Sequence, residues 1–130
     1  MNGKENLMKK SEKKELAKEI YDWCKRHDAW EDCYIIFDGK AWATYDEWGG
    51  VSGKEIENGL FEYNDMVATD YCQYHNNDTL AMGFEGKLYD IINGYCYGWT
   101  SLYDSFEKIF DKRGLYFEQG YAYTLSVYED

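Results

Sequence analysis

The most regular pattern of apolar residues lies near the start of the chain and predicts an amphipathic helix. Apolar or weakly polar side chains recur there at offsets of four, seven, eight and eleven residues: Leu16, Ile20, Trp23, Cys24 and His27. At about 100° per residue these positions form one narrow stripe on a helix. We therefore predict a helix near residues 12–27, with Ser11 as its N-terminal cap.

The next segment, CYIIFDGKAWATY, predicts a β-hairpin. Asp38-Gly39 suits a type I′ turn, in which both central residues adopt positive φ. A two-residue turn places Ile35 opposite Trp42 and Ile36 opposite Ala41. The face predicted to be buried then carries Cys33, Ile35, Phe37 and Trp42.

Three further strands and one long loop are expected. LFEYN (60–64) and TLAMGFE (79–85) have the composition of strands, and YAYTLSVYE (121–129) alternates apolar and polar residues. Residues 46–59, DEWGGVSGKEIENG, contain four glycines and no period, so we expect a loop there.

The remaining apolar patterns predict two helices and complete the fold class. KLYDIING favours a short helix ended by Gly94, and a longer helix is expected from Thr100 or Ser101 to Gly114. The order of elements predicts a small α+β domain, with a mostly antiparallel sheet of about four to five strands and two to three helices packed on one face. We expect residues 1–10 to be a flexible segment and residues 11–130 to form a single domain.

Composition and charge restrict the kind of partner. Five Trp, fourteen Tyr and six Phe make 19% of the 130 residues aromatic. The net charge is −11 overall; residues 1–30 carry eight Lys or Arg against six acids, and the rest carry six against nineteen. Such acidity repels phosphates and anionic membrane surfaces, so direct binding of nucleic acid or of a membrane is not expected. A basic protein partner is compatible with it, and so is acidity that only keeps an aromatic-rich chain soluble.

No apolar run approaches the about 18 residues of a membrane span, and the first 20 residues lack the apolar core of a signal peptide. We therefore expect a cytoplasmic protein with reduced cysteines. The sequence does not indicate an oligomeric state.

The only two histidines each follow a cysteine by three residues, in the pairs Cys24/His27 and Cys72/His75. Zinc sites use such pairs as neighbouring ligands in a tetrahedron. On the apolar stripe of a helix, however, a cysteine acts as a small hydrophobe. We therefore expect the repeated spacing to be a coincidence, with no metal and no cofactor.

Known catalytic motifs are not matched. WGGVSGKE (48–55) differs from a phosphate-binding loop at both ends, since Trp48 replaces the first glycine and Glu55 replaces the hydroxyl residue. The chain has no GxSxG segment. Pairs of carboxylates are expected by chance in so acidic a chain, so we predict a protein that is not an enzyme.

Two acidic segments interleaved with aromatic residues are the best candidates for a binding surface. Charge runs are usually solvated faces, but Tyr and Trp dominate interface hot spots. Three acids lie opposite the apolar face of the predicted helix that contains Leu102: Asp104, Glu107 and Asp111. Their spacings along the helix axis are about 4.5 and 6 Å. These spacings are broadly comparable with phosphate spacing along a nucleic-acid strand. The predicted partner-binding residues are Asp46, Glu47, Trp48, Glu55, Glu57, Glu62, Asp65, Asp104, Glu107 and Asp111.

In composition the chain resembles phage-encoded inhibitors of host defence such as anti-CRISPR proteins, which are also short and acidic; no residue role follows from this resemblance. We hypothesise a non-enzymatic acidic binding protein that mimics nucleic acid and occludes the basic surface of a nucleic-acid-binding partner. The alternative is a small enzyme or ligand-binding domain with an aromatic pocket.

Overall fold

The structure, a computed structural model, describes residues 8–130, and within them the predicted α+β class is confirmed. The predicted N-terminal segment of residues 1–10 lies outside the described residues except for its last three. The helices are α1 Lys10–Arg26, α2 Lys87–Asn93 and α3 Trp99–Asp111. The strands are β1 Cys33–Phe37, β2 Lys40–Ala43, β3 Glu47–Trp48, β4 Val51–Ser52, β5 Lys54–Glu57, β6 Leu60–Asn64, β7 Leu80–Phe84, β8 Leu115–Glu118 and β9 Thr124–Glu129.

The described residues form a seven-stranded sheet in the order β5-β6-β2-β1-β7-β9-β8, and all of its neighbouring strands are antiparallel. The predicted count of four to five strands is therefore wrong. The two unforeseen members, β5 and β8, are the edge strands. All four residues of β5 are exposed, so its sequence lacks the alternation of buried and exposed positions that identifies a strand.

The prediction of a loop over residues 46–59 is also wrong. Strands β3 and β4 pair as a small separate hairpin, in which Trp48 lies opposite Val51. Gly49 and Gly50 form its two-residue turn with φ of 59° and 81°, the positive values that a type I′ turn requires. The glycines that indicated a loop therefore permit a tight turn instead.

The predicted hairpin at Asp38-Gly39 is confirmed. Both residues have positive φ, and Ile35 pairs with Trp42 as expected. Gly94 also ends α2 as predicted, with φ of 78°.

Helix boundaries shift slightly from those predicted. Helix α1 begins before Ser11, which is therefore not its cap; the Glu12 side chain instead accepts a hydrogen bond from the Lys9 backbone N–H at 2.7 Å. Helix α3 begins at Trp99 and ends at Asp111, three residues before Gly114.

All three helices contribute to one core on one face of the sheet. The stripe of α1 is buried there through Leu16, Ile20, Trp23 and Cys24. The Trp23 indole N–H donates to Ser105 Oγ at 2.9 Å and so links α1 to α3. The sheet contributes the alternate residues of its strands, including the four predicted in the first hairpin: Cys33, Ile35, Phe37 and Trp42.

The opposite face of the sheet carries a second, smaller core without a helix. Its sheet residues include Ile36, Ala41, Ala43, Tyr63 and Ala81. The segment 65–79, with one 3-10 turn at Ala68–Asp70, and the β3–β4 hairpin pack on this face through Met66, Ala68 and Trp48. No helix among residues 8–130 combines the length and the apolar character needed to cross a membrane.

Candidate functional site

Small residues on the second face of the sheet leave room for aromatic rings. Tyr34 on β1 lies opposite Gly83 on β7, and the Tyr34 ring lies directly over that glycine. A Cβ atom at Gly83 would meet the ring at 2.3 Å. The glycine therefore determines where the Tyr34 ring can lie.

A buried histidine holds the far end of the same ring. The Tyr34 hydroxyl oxygen and His75 Nε2 are 2.9 Å apart, a hydrogen-bond distance. His75 is 5% exposed, and burial lowers its pKa to about 4, so the imidazole is neutral near pH 7. Burial also raises the pKa of Tyr34, which therefore keeps its proton. The pair is a neutral hydrogen bond that fixes the orientation of the ring.

The segment that carries His75 is fastened to β9 by polar contacts. The Asn76 backbone N–H donates to Ser126 Oγ, and the Asn76 side-chain amide donates to the Val127 carbonyl, both at 2.9 Å. The Ser126 hydroxyl in turn donates to the Tyr74 carbonyl at 3.2 Å. Side chains of β9 therefore alternate between the two faces of the sheet. Leu125 and Val127 lie in the helix-side core, and Thr124 and Ser126 face this segment.

The β3–β4 hairpin is anchored beside the same ring. Trp48 contacts Tyr63 edge to face, with ring centroids 5.5 Å apart. The Tyr63 hydroxyl donates to the Tyr45 carbonyl at 2.7 Å. These contacts place the Trp48 indole 5.1 Å from the Tyr34 ring.

Four rings thus form one contiguous group, which we call the aromatic cluster: Tyr34, Tyr45, Trp48 and Tyr71. Centroids of Trp48 lie 5.4 Å from Tyr45 and 4.9 Å from Tyr71. Beside the cluster is a cavity of about 200 Å³, which Gly83, Phe84, Glu85 and Tyr123 complete. Tyr71 and Tyr123 are nearly half exposed, so the cavity opens to the surface.

Carboxylates border this cavity. Burial, followed by the charge of Asp32 and the hydrogen bond that Tyr45 donates to it at 3.1 Å, raises the pKa of the Tyr45 hydroxyl. Glu85 lines the cavity, and its charge adds a smaller contribution to the raised pKa of Tyr34 and Tyr45, of which burial is the main cause. The site is therefore aromatic and negatively charged.

Within residues 8–130, no Lys or Arg lines the cavity. The ion pairs of the described chain use Lys18, Lys112 and Arg113, and their acidic partners are Asp22, Glu57 and Glu19. Among the described residues, the single contact of a cation with an aromatic face is between Lys18 and Tyr21, on the other side of the sheet. The carboxylates of this site are therefore not paired with a cation of residues 8–130.

Of the ten predicted partner-binding residues, the structure brings one into the aromatic cluster and two more directly before it in the chain. Asp46 and Glu47 are exposed on the hairpin, and Trp48 belongs to the aromatic cluster. Glu55 and Glu57 lie on the edge strand β5. Glu62 accepts the Trp42 indole N–H at 2.9 Å, and Asp65 follows β6 beside the turn at Gly39.

The remaining three predicted residues lie on α3, in the helical layer. Asp104 and Asp111 are exposed, and Glu107 is half-buried. The sheet separates this layer from the aromatic cluster. One flat partner surface cannot contact both groups, so the predicted set does not form a single site.

The two cysteine–histidine pairs lie on opposite faces of the sheet. Cys24 is buried in the helix-side core, and the ring centroids of His27 and Trp23 are 4.4 Å apart. Cys72 and His75 lie on the other face, with Cys72 Sγ 3.9 Å from Thr124 Oγ1 and His75 bonded to Tyr34. In the part of the chain that the structure describes, His, Cys, Asp and Glu form no group of three or more that could hold a metal.

A second concave feature lies on the helix side, between α1 and strands β5 and β6. It is a groove of about 720 Å³ with an apolar floor of Trp42, Ile56 and Leu60. Lys18 on its rim is paired with Asp22 at 2.9 Å and with Glu57 at 3.5 Å. Much of the rim charge is thus neutralised within the protein.

Sequence reasoning identified Trp48 but missed Tyr34, Tyr71, Glu85 and Tyr123. The alternation in β1 does place Tyr34 on the face opposite the predicted core, which is a usable signal. Nothing local in the sequence indicates that Tyr71 and Tyr123 approach the same strand. In comparisons with protein-family models, curated proteins and solved structures, this chain matches none of them.

Proposed function

We propose that the protein is a non-enzymatic binding protein whose aromatic and acidic face covers the basic surface of a nucleic-acid-binding partner. The interacting face is the aromatic cluster together with Asp32, Asp46, Glu47, Glu85 and Tyr123. Its mechanism is competition, because carboxylates that pair with Lys and Arg of the partner occupy the groups that otherwise neutralise phosphates. The compositional resemblance to phage inhibitors of host defence agrees with this class of function.

The observation that carries the proposal is a partly exposed aromatic cluster bordered by carboxylates that form no ion pair with a cation among residues 8–130. Tyr and Trp supply large contact areas at low entropic cost, and they are enriched among interface hot spots. Carboxylates at the rim of such a surface steer a basic partner and suppress acidic ones. The site therefore combines an anchor with a source of specificity.

Two double variants with the same change in charge test which acidic surface is used. Asp46→Asn/Glu47→Gln removes two charges beside the aromatic cluster, and Asp104→Asn/Asp111→Asn removes two exposed charges on α3. Each tagged protein is used to capture partners from a lysate of the natural host at low and high salt, and bound proteins are identified by mass spectrometry. The partner is then purified and tested for binding of nucleic acid with and without the wild-type protein.

We expect the hairpin variant to lose most of the partner at moderate salt, and the α3 variant to retain it. High salt should weaken capture by the wild type, because exposed charge pairs are screened. The purified partner should bind nucleic acid, and a saturating amount of this protein should abolish that binding. If only the α3 variant loses the partner, the interface lies on the helical layer and not at the aromatic cluster. A partner with no affinity for nucleic acid would contradict the competitive mechanism.

The groove between α1 and β5 favours a second candidate function, the binding of an apolar small molecule. Its volume of about 720 Å³ falls within the range of about 300–1,000 Å³ typical of ligand pockets. A ligand there should raise the thermal midpoint of the wild type, and Ile56→Glu should abolish that shift without affecting partner capture.

A further inference from the structure

We propose that the cavity beside the aromatic cluster binds one organic cation of the alkylammonium or guanidinium class. The inference deepens the proposed function and rests on it for the source of the cation, which is a lysine or arginine side chain of the partner.

The walls of the cavity have the chemistry that such a cation prefers. Tyr34, Tyr45, Trp48, Tyr71 and Tyr123 supply the rings, and their planes differ in orientation, with Trp48 tilted by 36° to Tyr34 and by 57° to Tyr45. The face of an aromatic ring is the negative end of its quadrupole and attracts a cation within about 6 Å of the centroid. Differently oriented rings can surround one positive group from several sides.

The cavity also has a carboxylate beside its aromatic walls. Glu85 lines the cavity, and Asp32 is fixed nearby by the hydrogen bond from the Tyr45 hydroxyl. A neutral apolar side chain would gain the ring contacts but no benefit from these charges. The combination therefore favours a cation over an apolar group of the same size.

The size and rigidity of the cavity fit one side chain. Its volume of about 200 Å³ exceeds by several times the about 30 Å³ that one water occupies. Tyr34 is held by Gly83 beneath it and by His75 at its hydroxyl, and Trp48 is held by Tyr63. Rings that are already positioned lose little entropy on binding.

The test is an NMR titration of the whole protein with three amino-acid probes of similar length. The probes are the Nα-acetyl methylamides of lysine, arginine and norleucine, of which the last is neutral. We expect the two cationic probes to bind in about the millimolar range and norleucine at least about tenfold more weakly. Shifted amide signals should belong to residues around Gly83, Glu85 and Tyr123.

Two exposed wall residues serve as variants, each with a matched control outside the cavity. Glu85→Gln and Tyr123→Ala should each weaken the cationic probes about two- to fivefold. Asp104→Asn and the fully exposed Tyr97→Ala should leave the affinity unchanged. Equal binding of norleucine and lysine, absence of binding, or insensitivity to both wall variants would overturn the proposal.

Failure of this inference is distinguishable from failure of the proposed function. If the cationic probes bind but the captured partner does not displace them, the cavity takes a free small cation, and a side chain of the partner as its source is ruled out. If partner capture depends on Asp46 and Glu47 but tolerates Glu85→Gln and Tyr123→Ala, the partner proposal stands and the cavity does not take a side chain of that partner.

Discussion

Lowering the pH should destabilise the protein through His75, the buried partner of Tyr34. The imidazole has a pKa of about 4 in the folded chain because burial disfavours its charged form, against an ordinary value of 6.5. Between these two values the unfolded chain binds a proton that the folded chain excludes. The stability contributed by the neutral histidine is therefore complete above about pH 7 and is lost as the pH falls toward 4.

The magnitude follows from the two pKa values. Between about pH 7.5 and about pH 5, protonation of the unfolded chain at His75 lowers the free energy of unfolding by about 2 kcal/mol. The range stops at about pH 5 because Glu19 begins to contribute at lower pH. Burial raises the pKa of Glu19, but its ion pairs with Lys112 and Arg113 outweigh burial, so the net pKa is lowered from the ordinary value of 4.5. Glu19 therefore adds its own loss of stability as the pH falls below about that value.

The assay is urea unfolding at several pH values, followed by tryptophan fluorescence, on the wild type and two variants. His75→Gln keeps a polar group that can accept from Tyr34 but cannot titrate, and it should show about 2 kcal/mol less pH dependence than the wild type. His27→Gln is the matched control, since His27 is the only other histidine and is more exposed. Burial, Arg26 and Lys87 also lower the pKa of His27, so its variant should lose a smaller part of the pH dependence.

An equal loss of stability with falling pH in the wild type and in His75→Gln would refute this reasoning. It would mean that His75 is protonated as easily in the folded chain as in the unfolded one, and so that the segment 65–79 does not exclude water from the imidazole.

Two further predictions concern stability. Gly83→Ala should lower the free energy of unfolding by about 1–3 kcal/mol, because its Cβ would lie 2.3 Å from the Tyr34 ring, and by less in a Tyr34→Ala background. Chemical denaturation of the four members of this cycle measures the coupling, and an unchanged cost in the double variant would contradict the contact. Replacing the acids on α3 by their amides should change stability by no more than about 1 kcal/mol in the same assay, since two are exposed and the third half-buried: Asp104, Glu107 and Asp111. A larger loss would show that these side chains support the helical layer.

Most of the local structure was predictable because it depends on neighbours in the chain. The stripe of α1 follows from the helical period of 3.6 residues, and the Asp38-Gly39 turn sets its own register, so Ile35 meets Trp42 without help from the rest of the fold. The residues that α1 and the first hairpin contribute to the helix-side core follow from the same two patterns. Strand β5 escaped prediction because all four of its residues are exposed, and an edge strand with one neighbour needs no buried alternation to pair. Strand β8 does alternate, with Leu115 buried and Tyr116 exposed, but this pattern spans only four residues.

The candidate site depended on tertiary structure because its parts are far apart in the chain. His75 reaches Tyr34 across 41 residues of sequence, and Tyr123 reaches the same cavity from a segment near the end of the chain. These contacts require β7 to pair with both β1 and β9, and pairing between distant strands is determined by the packing of the whole sheet rather than by any local pattern. The sequence by itself therefore determined α1, the first hairpin, the α+β class and the acidic, aromatic composition. Which aromatic rings and carboxylates share a surface was decided only when the sheet brought them together.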